Sequence, residues 1–148
     1  MQPFFADCLN NLQELHTDVE KALDGLPLEA LNWSPQEGVN SITALVVHMT
    51  GAERFLIGEV IAGESAQRDR EAEFRAQDIS ASDLKQRLVN SRAYVSGVLE
   101  RLTIADLETK RTLRQREVNV GWVLGHALKH TATHLGNIQV MRDMWNTR

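Results

Sequence analysis

The sequence GWVLGHALKHTATHLGNIQ, residues 121–139, contains no proline and repeats its apolar residues at intervals of three and four. It also carries three histidines at intervals of four, His126, His130 and His134. Residues four apart lie one turn apart on the same face of an α-helix. Each step of four drifts by about 40° around the axis, so two neighbouring imidazoles can converge on one point but all three cannot do so equally well. The stretch predicts a long helix that carries half of a metal site.

Three further helices are predicted upstream of this one. No proline follows Pro35, so nothing breaks a helix in the rest of the chain. Serine and asparagine caps and glycine stops give the boundaries. The predicted helices are Pro3 to Leu23, Ser41 to Gly63, Ser80 to Leu102 and Val118 to Trp145. Four long helices with almost no strand alternation predict an all-α fold, an antiparallel four-helix bundle with long interhelical connections, in one domain spanning residues 1–148.

Two of the connections are rich in charged residues. Residues 64–77 are predicted to form a solvated connection or an exposed helical piece. Residues 103–119 contain the basic side chains of Lys110, Arg111, Arg114 and Arg116. These can be read as a phosphate-binding site, but we favour a solvated loop because glutamates lie between the basic residues.

Composition excludes several classes of partner. The 148 residues carry a formal net charge of −4, which gives no electrostatic footprint for nucleic acid or an anionic membrane. No stretch approaches the roughly 18 apolar residues that span a bilayer, and the N-terminus does not resemble a signal peptide. The single cysteine, Cys8, cannot form an intrachain disulfide and suits a reducing compartment. We therefore expect a soluble cytoplasmic protein that acts on a small molecule.

A third metal ligand is available on the second helix. His48 lies there among apolar neighbours, and Gly51 and Ala52 leave room beside it. One histidine from this helix and a pair from the last would surround a divalent ion with three neutral imidazoles and leave a position open, the pattern of catalytic sites. The residues alone also allow His48 to be an ordinary core histidine, and His126 can pair with His130 just as His134 can.

The other candidates have simpler interpretations. His16, between Leu15 and Thr17 on the first helix, is predicted to be a surface or boundary residue. Glu53 lies a turn from His48 and could serve as a general base, but we favour a surface position. Cys8 is predicted to pack inside the first helix.

Two segments carry a resemblance to a known family. The segment LNWSPQEGVNSITALVVHMTGAE (residues 31–53) has a tryptophan–proline loop, then Asn-Ser-Ile and a helical histidine; residues 121–139 have two histidines four apart followed by Leu-Gly-Asn-Ile. In these features and in length the chain resembles the DinB-like superfamily of metalloenzymes. The resemblance implies a four-helix bundle with His48, His130 and His134 as metal ligands. His126 then lies behind the ligands or in the pocket wall. Leu135 and Asn137 depart from the His-Arg-Gly-Gln that the family often has, so one basic residue is missing.

Three neutral imidazoles leave the full charge on a bound ion. Such an ion can lower the pKa of a bound water to about 7 or deprotonate a coordinating thiol outright. The resemblance favours the thiol, because relatives resemble S-transferases that use mycothiol, bacillithiol or glutathione. The hypothesis is therefore a metal-dependent transferase that acts with a low-molecular-weight thiol. The alternatives are a hydrolase that uses a metal-bound water and a metal- or ligand-binding bundle without turnover. Imidazoles suit several metals, and we expect zinc or nickel.

The end of the last helix bears on oligomeric state. Met144 and Trp145 are large apolar residues near the C-terminus. They can bury a face against a second copy in a homodimer, or they can complete the core of one copy.

Overall fold

Four long helical segments form the body of the molecule. The structure, a computed structural model, describes residues 1–148. The long segments are α1 (Pro3–Leu23), α3 (Ile42–Glu53) with its π-helical continuation (Arg54–Ile61), α5 (Ala81–Leu99) and α6 (Val120–Thr147). Two short helices, α2 (Leu28–Asn32) and α4 (Arg70–Phe74), lie in the connections. The predicted all-α four-helix bundle is confirmed.

The directions of the helices require one connection to run along the bundle. The N-terminal ends of α1 and α6 share an apolar cluster with the C-terminal ends of α3 and α5. The opposite ends share the other cluster. The α3–α6 and α1–α5 neighbours are therefore antiparallel, whereas α1 is parallel to α6 and α3 to α5. Because α3 and α5 are parallel, residues 62–80 must return from one end of the bundle to the other.

Side-chain caps begin three of the long helices. The Ser41 hydroxyl accepts a hydrogen bond from the Ala44 amide, and Ser80 accepts one from the Asp83 amide. The Asn119 side chain accepts one from the Trp122 amide at 2.7 Å. These bonds satisfy amides that have no partner within the helix. α1 instead begins with proline at its first position, where the missing N–H costs nothing.

The segment 103–119 has more regular structure than the predicted solvated loop. A 3-10 turn (Ile104–Glu108) is followed by β1 (Lys110–Leu113) and β2 (Arg116–Asn119). The two strands pair antiparallel, with Leu113 opposite Arg116. The hairpin leads directly into α6 and holds its tip, Arg114 and Gln115, near the first turns of that helix. The loop prediction missed this hairpin because its strands are only four residues long.

A buried polar layer separates the two apolar clusters. Its members are His16, Glu53 and Thr131, which are 0%, 1% and 0% exposed, together with the half-buried Ser91. The Glu53 carboxylate accepts hydrogen bonds from His16 Nε2 at 2.8 Å, from Thr131 Oγ1 at 2.8 Å and from the Ser91 hydroxyl. We call these four residues the Glu53 network. Each comes from a different long helix, so the predicted surface positions of His16 and Glu53 are wrong.

None of the helices is both long enough and apolar enough to cross a membrane.

Candidate metal centre

Three histidines from two antiparallel helices meet at mid-bundle. His48 on α3 and His130 on α6 bring their Nε2 atoms to 3.2 Å, and His130 and His134 Nε2 atoms are also 3.2 Å apart. All three ligand atoms lie within 4.8 Å of one another. His48 is 5% exposed, and the other two are half-buried. The structure thus brings together the three histidines that the family resemblance singles out, although their role as ligands remains a prediction.

The two Nε2 distances of 3.2 Å, from His130 to His48 and to His134, fit one shared ion. Three nitrogens that each lie about 2.0–2.1 Å from a tetrahedral zinc ion are about 3.3 Å apart. Without an ion, each neutral imidazole carries a single N–H proton. The three rings then have too few protons to form a hydrogen bond at every place where two nitrogens face each other. The donor set and its spacing therefore fit a divalent metal ion.

The protonation states suit metal binding as well. Burial, with added repulsion from His134 and His48, lowers the pKa of His130 to about 3. Burial also lowers the pKa of His134, and it outweighs the opposing effect of Glu73 on the pKa of His48. The three rings are consequently neutral at pH 7, which is the form that binds a metal.

A carboxylate behind His48 selects its tautomer. Glu73 Oε1 lies 3.1 Å from His48 Nδ1. Because a carboxylate can only accept a hydrogen bond, this contact favours the proton on Nδ1; it is shorter than the 3.4 Å contact of Nδ1 with the Arg68 Nη2 donor. The Nε2 lone pair is then directed at the other histidines. Arg68 holds Glu73 with a two-pronged contact, Nε to Oε2 at 2.9 Å and Nη2 to Oε1 at 2.7 Å. The Phe74 ring stacks on the His48 ring with centroids 4.5 Å apart.

Gly51 makes room for this carboxylate. A β-carbon at Gly51 would lie 1.9 Å from Glu73 Oε2 and 2.7 Å from Cδ. The predicted space beside His48 therefore exists at this position, but a protein side chain fills it and a ligand does not. Glu73 itself is only 7% exposed, although it lies in the segment that the sequence predicts to be solvated.

His126 lies apart from the other histidines of α6. Its ring stacks on Trp122, with centroids 4.7 Å apart and planes 11° apart. Its centroid is 6.4 Å from that of His130, whereas His130 and His134 are 4.4 Å apart. Its Nδ1 is buried without a hydrogen-bond partner. Burial lowers the pKa of His126, and the nearby charges of Lys129, Arg116 and Arg114 lower it further.

A cavity of about 560 Å³ opens beside the histidines. We call it the histidine cavity. His48, His126 and His130 contribute to one wall, and the hairpin, Arg68 and Arg70 contribute to the others. The remaining lining residues are Ala52, Phe55, Leu56, Arg68, Arg70, Leu113, Arg114, Gln115, Arg116 and Trp122. Its size is in the range of small-molecule sites.

The sequence places the chain in a known family. The family model of the DinB superfamily matches residues 11–138. This chain belongs to the DinB superfamily. The resemblance in residues 31–53 and 121–139 is therefore confirmed. No curated protein matches this superfamily member.

Solved structures of bacterial proteins share the fold of this DinB-superfamily chain. A conserved protein from Enterococcus faecalis superposes with a TM-score of 0.78 at 16% identity, covering 96% of each chain. A DinB-like protein from Bacillus cereus gives a TM-score of 0.77 at 17% identity, covering 94% of this chain and 91% of its own. A DinB-like protein from Bacillus subtilis gives 0.74 at 17% identity, covering 96% and 93%. At these identities the likeness concerns the fold alone.

Proposed function

We propose that this DinB-superfamily chain binds zinc or nickel through His48, His130 and His134 and transfers a low-molecular-weight thiol to an electrophile. The observation that carries the proposal is the convergence of three neutral Nε2 atoms beside an open cavity. The cluster contains three histidines and no further His, Cys, Asp or Glu. Three protein ligands leave a position for an exogenous group, as in catalytic sites.

The proposed reaction is a substitution at carbon. A divalent ion at this site would supply Lewis acidity that deprotonates a coordinating thiol. The sulfur forms a C–S bond with the electrophilic carbon, and the leaving group departs with the electron pair of the broken bond. The thiol proton is released to water through the open cavity, which His126 lines as a neutral ring.

The cavity supports a thiol more than a hydrolytic water. A hydrolase of this kind benefits from a carboxylate base near the nucleophile, but no aspartate or glutamate lines the histidine cavity. The two nearest candidates are engaged elsewhere, since Arg68 and His48 hold Glu73 and Glu53 is buried in its own network. A purely structural ion is less well supported, because such sites usually have four protein ligands.

The proposal is tested first by metal content and then by turnover. We expect about one zinc or nickel ion per chain after reconstitution of protein purified without a metal-affinity column, measured by elemental analysis. The loaded protein is then assayed with glutathione, bacillithiol and mycothiol against 1-chloro-2,4-dinitrobenzene, with His130→Ala as the control. A chain that holds no stoichiometric zinc, nickel or manganese would overturn the metal site. Turnover equal to that of His130→Ala with every thiol would overturn the transferase.

Gly51→Ala is expected to weaken zinc binding without unfolding the protein. The new β-carbon would displace Glu73 from His48, and loss of such a supporting carboxylate lowers metal affinity roughly 10–100-fold. Helix propensity favours alanine by about 1 kcal/mol, so the free energy of unfolding of the metal-free protein should change little.

Gly97→Ala on α5 is the matched control for this variant. A β-carbon at Gly97 meets nothing within 4 Å, so this variant should keep the wild-type zinc affinity and gain helix stability. Competition titration with a chromophoric chelator measures both affinities. Equal affinities for the two variants would mean that Glu73 does not support His48.

The proposal includes a small-molecule substrate, a cytoplasmic location and a homodimer. A single cysteine suits a reducing compartment.

The dimer contact is proposed at the end of α6. Trp145 packs edge-to-face on Trp33, with centroids 5.9 Å apart, while Met144 is 41% exposed. Of the two, Met144 is therefore the better candidate for a dimer contact. Sedimentation of the wild type and of Met144→Glu tests it, and a monomeric wild type would contradict it.

A further inference from the structure

The histidine cavity has an unusual charge for this protein. Four arginines line it, Arg68, Arg70, Arg114 and Arg116, and no carboxylate does. The whole chain has a formal net charge of −4. A cleft lined by one sign of charge concentrates ligands of the opposite sign.

Three of these arginines have guanidinium groups available to a ligand. Arg68 is taken up by Glu73. Arg114 and Arg116 form no ion pair, and Arg70 has only a 3.5 Å contact with the exposed Glu71. Guanidinium groups donate paired hydrogen bonds to carboxylates and phosphates. The unpaired donors therefore match an oxyanion.

Aromatic rings fix two of the available arginines in place. The Arg116 guanidinium lies over the Trp122 ring at 4.5 Å from its centroid, and Trp122 in turn stacks on His126. The Arg70 guanidinium lies over Phe74 at 4.8 Å, and Phe74 stacks on His48. Groups held in this way lose less entropy when they bind a ligand. Both arginines are thereby tied to the histidine wall.

Backbone strain singles out the third arginine. Arg114 occupies the tip of the hairpin with φ of +58°, a region that favours glycine. Strain of this kind tends to occur at ligand-binding positions. Glycine would be more stable at this position. The presence of arginine is explained if its side chain binds a ligand in the cavity.

Apart from Gln115, the rest of the cavity wall is apolar. Ala52, Phe55, Leu56, Leu113 and Trp122 supply it. A ligand that fits this lining has an apolar body between the histidine wall and the arginines.

We propose that the histidine cavity binds an oxyanion-bearing ligand, a carboxylate or phosphate ester with an apolar body, through Arg70, Arg114 and Arg116. The inference rests on the proposed function, because the anionic group is part of either the thiol or the electrophile of the proposed transfer. The acidic group contacts these arginines, and the apolar body of the ligand packs on the apolar wall of the cavity.

Binding is measured on metal-free protein, so that coordination of the anion to an ion does not contribute. The probes are phenylacetate and phenyl phosphate, with phenylacetamide as the neutral match, and calorimetry gives the dissociation constants. Tryptophan fluorescence provides a second signal, because Trp122 lines the cavity while Trp33 and Trp145 pack together elsewhere. We expect both anions to bind at least about tenfold more tightly than the amide. Tighter binding of phenylacetate identifies a carboxylate as the acidic group of the natural ligand, and tighter binding of phenyl phosphate identifies a phosphate.

Two variants test the arginines, and a third is the control. Arg116→Gln and Arg114→Gly are each expected to weaken anion binding about tenfold. Arg114→Gly should at the same time raise the unfolding midpoint, because it removes the strain at φ +58°. Arg75→Gln removes the same charge from an exposed arginine outside the cavity and should leave binding unchanged.

Three results would overturn this inference. They are equal affinity for phenylacetamide and the anions, an equal loss in Arg75→Gln and Arg116→Gln, or no binding of either anion by the wild type. Failure of the proposed function gives a different pattern, because a chain that holds no metal can still prefer anions in this test. A metal-loaded enzyme that turns over but shows no anion preference would sink the present inference alone.

Discussion

His130→Ala is expected to abolish stoichiometric metal binding, whereas His126→Ala keeps one ion per chain. His130 is the middle ring of the cluster, with its Nε2 at 3.2 Å from those of both His48 and His134. Its removal leaves only two ligands, His48 on α3 and His134 on α6. The loss of affinity should exceed the roughly 10–100-fold that a missing supporting residue costs. Elemental analysis and zinc titration measure both variants.

Thermal unfolding gives an independent reading of the same prediction. A ligand that binds only the folded state stabilises it by about 2.7 kcal/mol at a concentration 100 times its dissociation constant. Zinc should therefore raise the unfolding midpoint of the wild type and of His126→Ala, and leave that of His130→Ala unchanged. Because the metal-free proteins serve as their own references, a general folding defect cannot imitate this result. Equal loss of zinc stabilisation in His126→Ala and His130→Ala would mean that the ion lies between those two histidines.

These variants decide a question that the sequence leaves open. His126 and His134 are each four residues from His130, so helical spacing treats them alike. In the structure their surroundings differ, since Trp122 stacks on His126 and His134 faces His48 across the helix pair, with ring centroids 4.9 Å apart. Which pair forms the site depends on where α3 crosses α6, and that is a property of tertiary packing.

Local features of the fold were predictable because their causes are local. The caps at Ser41 and Ser80 and the stop after Leu23 depend on residues within one turn. The parallel arrangement of α3 and α5 is a different matter. It depends on how two distant apolar faces pack, and it is the reason that residues 62–80 run along the bundle.

The same long-range cause hid part of the site. Glu73 and Arg68 belong to a charge-rich segment that is typical of solvated connections. Only the return path along α3 brings Glu73 to His48, 25 residues away. Gly51 is a weak local signal, because a residue without a side chain on a helix indicates that another group packs closely against it. The glycine alone does not predict which group that is.

His16 and Glu53 could have been assigned to the core from their spacing. Leu12, His16, Val19 and Leu23 recur at four, three and four on α1, and all four are buried. Glu53 lies four residues after Met49 and three before Leu56, both of which are buried. A polar residue on an apolar stripe is predicted to be buried with a partner. What the sequence does not supply is which partner, because the Glu53 network joins four helices.

Glu53→Ala is expected to lower the free energy of unfolding by about 1–3 kcal/mol for each buried donor that loses its acceptor. The variant leaves His16 Nε2 and the hydroxyl of Thr131 without their acceptor in a layer that water does not reach. Most domains have only about 5–15 kcal/mol of stability, so the loss is a large share. Urea unfolding followed by circular dichroism measures it.

Two companion variants separate the lost hydrogen bonds from a general effect of charge. Glu53→Gln keeps one acceptor oxygen and should cost about 1–3 kcal/mol. Glu14→Ala removes the same charge from an exposed site on α1 and should stay within about 0.5 kcal/mol of the wild type. If Glu53→Ala proves as stable as Glu14→Ala, the network does not hold the helices together.

The Glu53 network also helps to position the proposed metal ligands, because it joins the two helices that carry them. Thr131 follows His130 on α6, and Glu53 lies five residues after His48 on α3. The Thr131–Glu53 hydrogen bond at 2.8 Å therefore fixes the axial position of one helix against the other next to the Nε2 contact of His48 and His130. Under conditions where Glu53→Gln remains folded, we expect it to bind zinc more weakly than Glu14→Ala does, because metal sites depend on ligands held in position. If the free energy of unfolding falls while zinc affinity is unchanged, the packing of α3 against α6 positions the histidines without the Glu53 network.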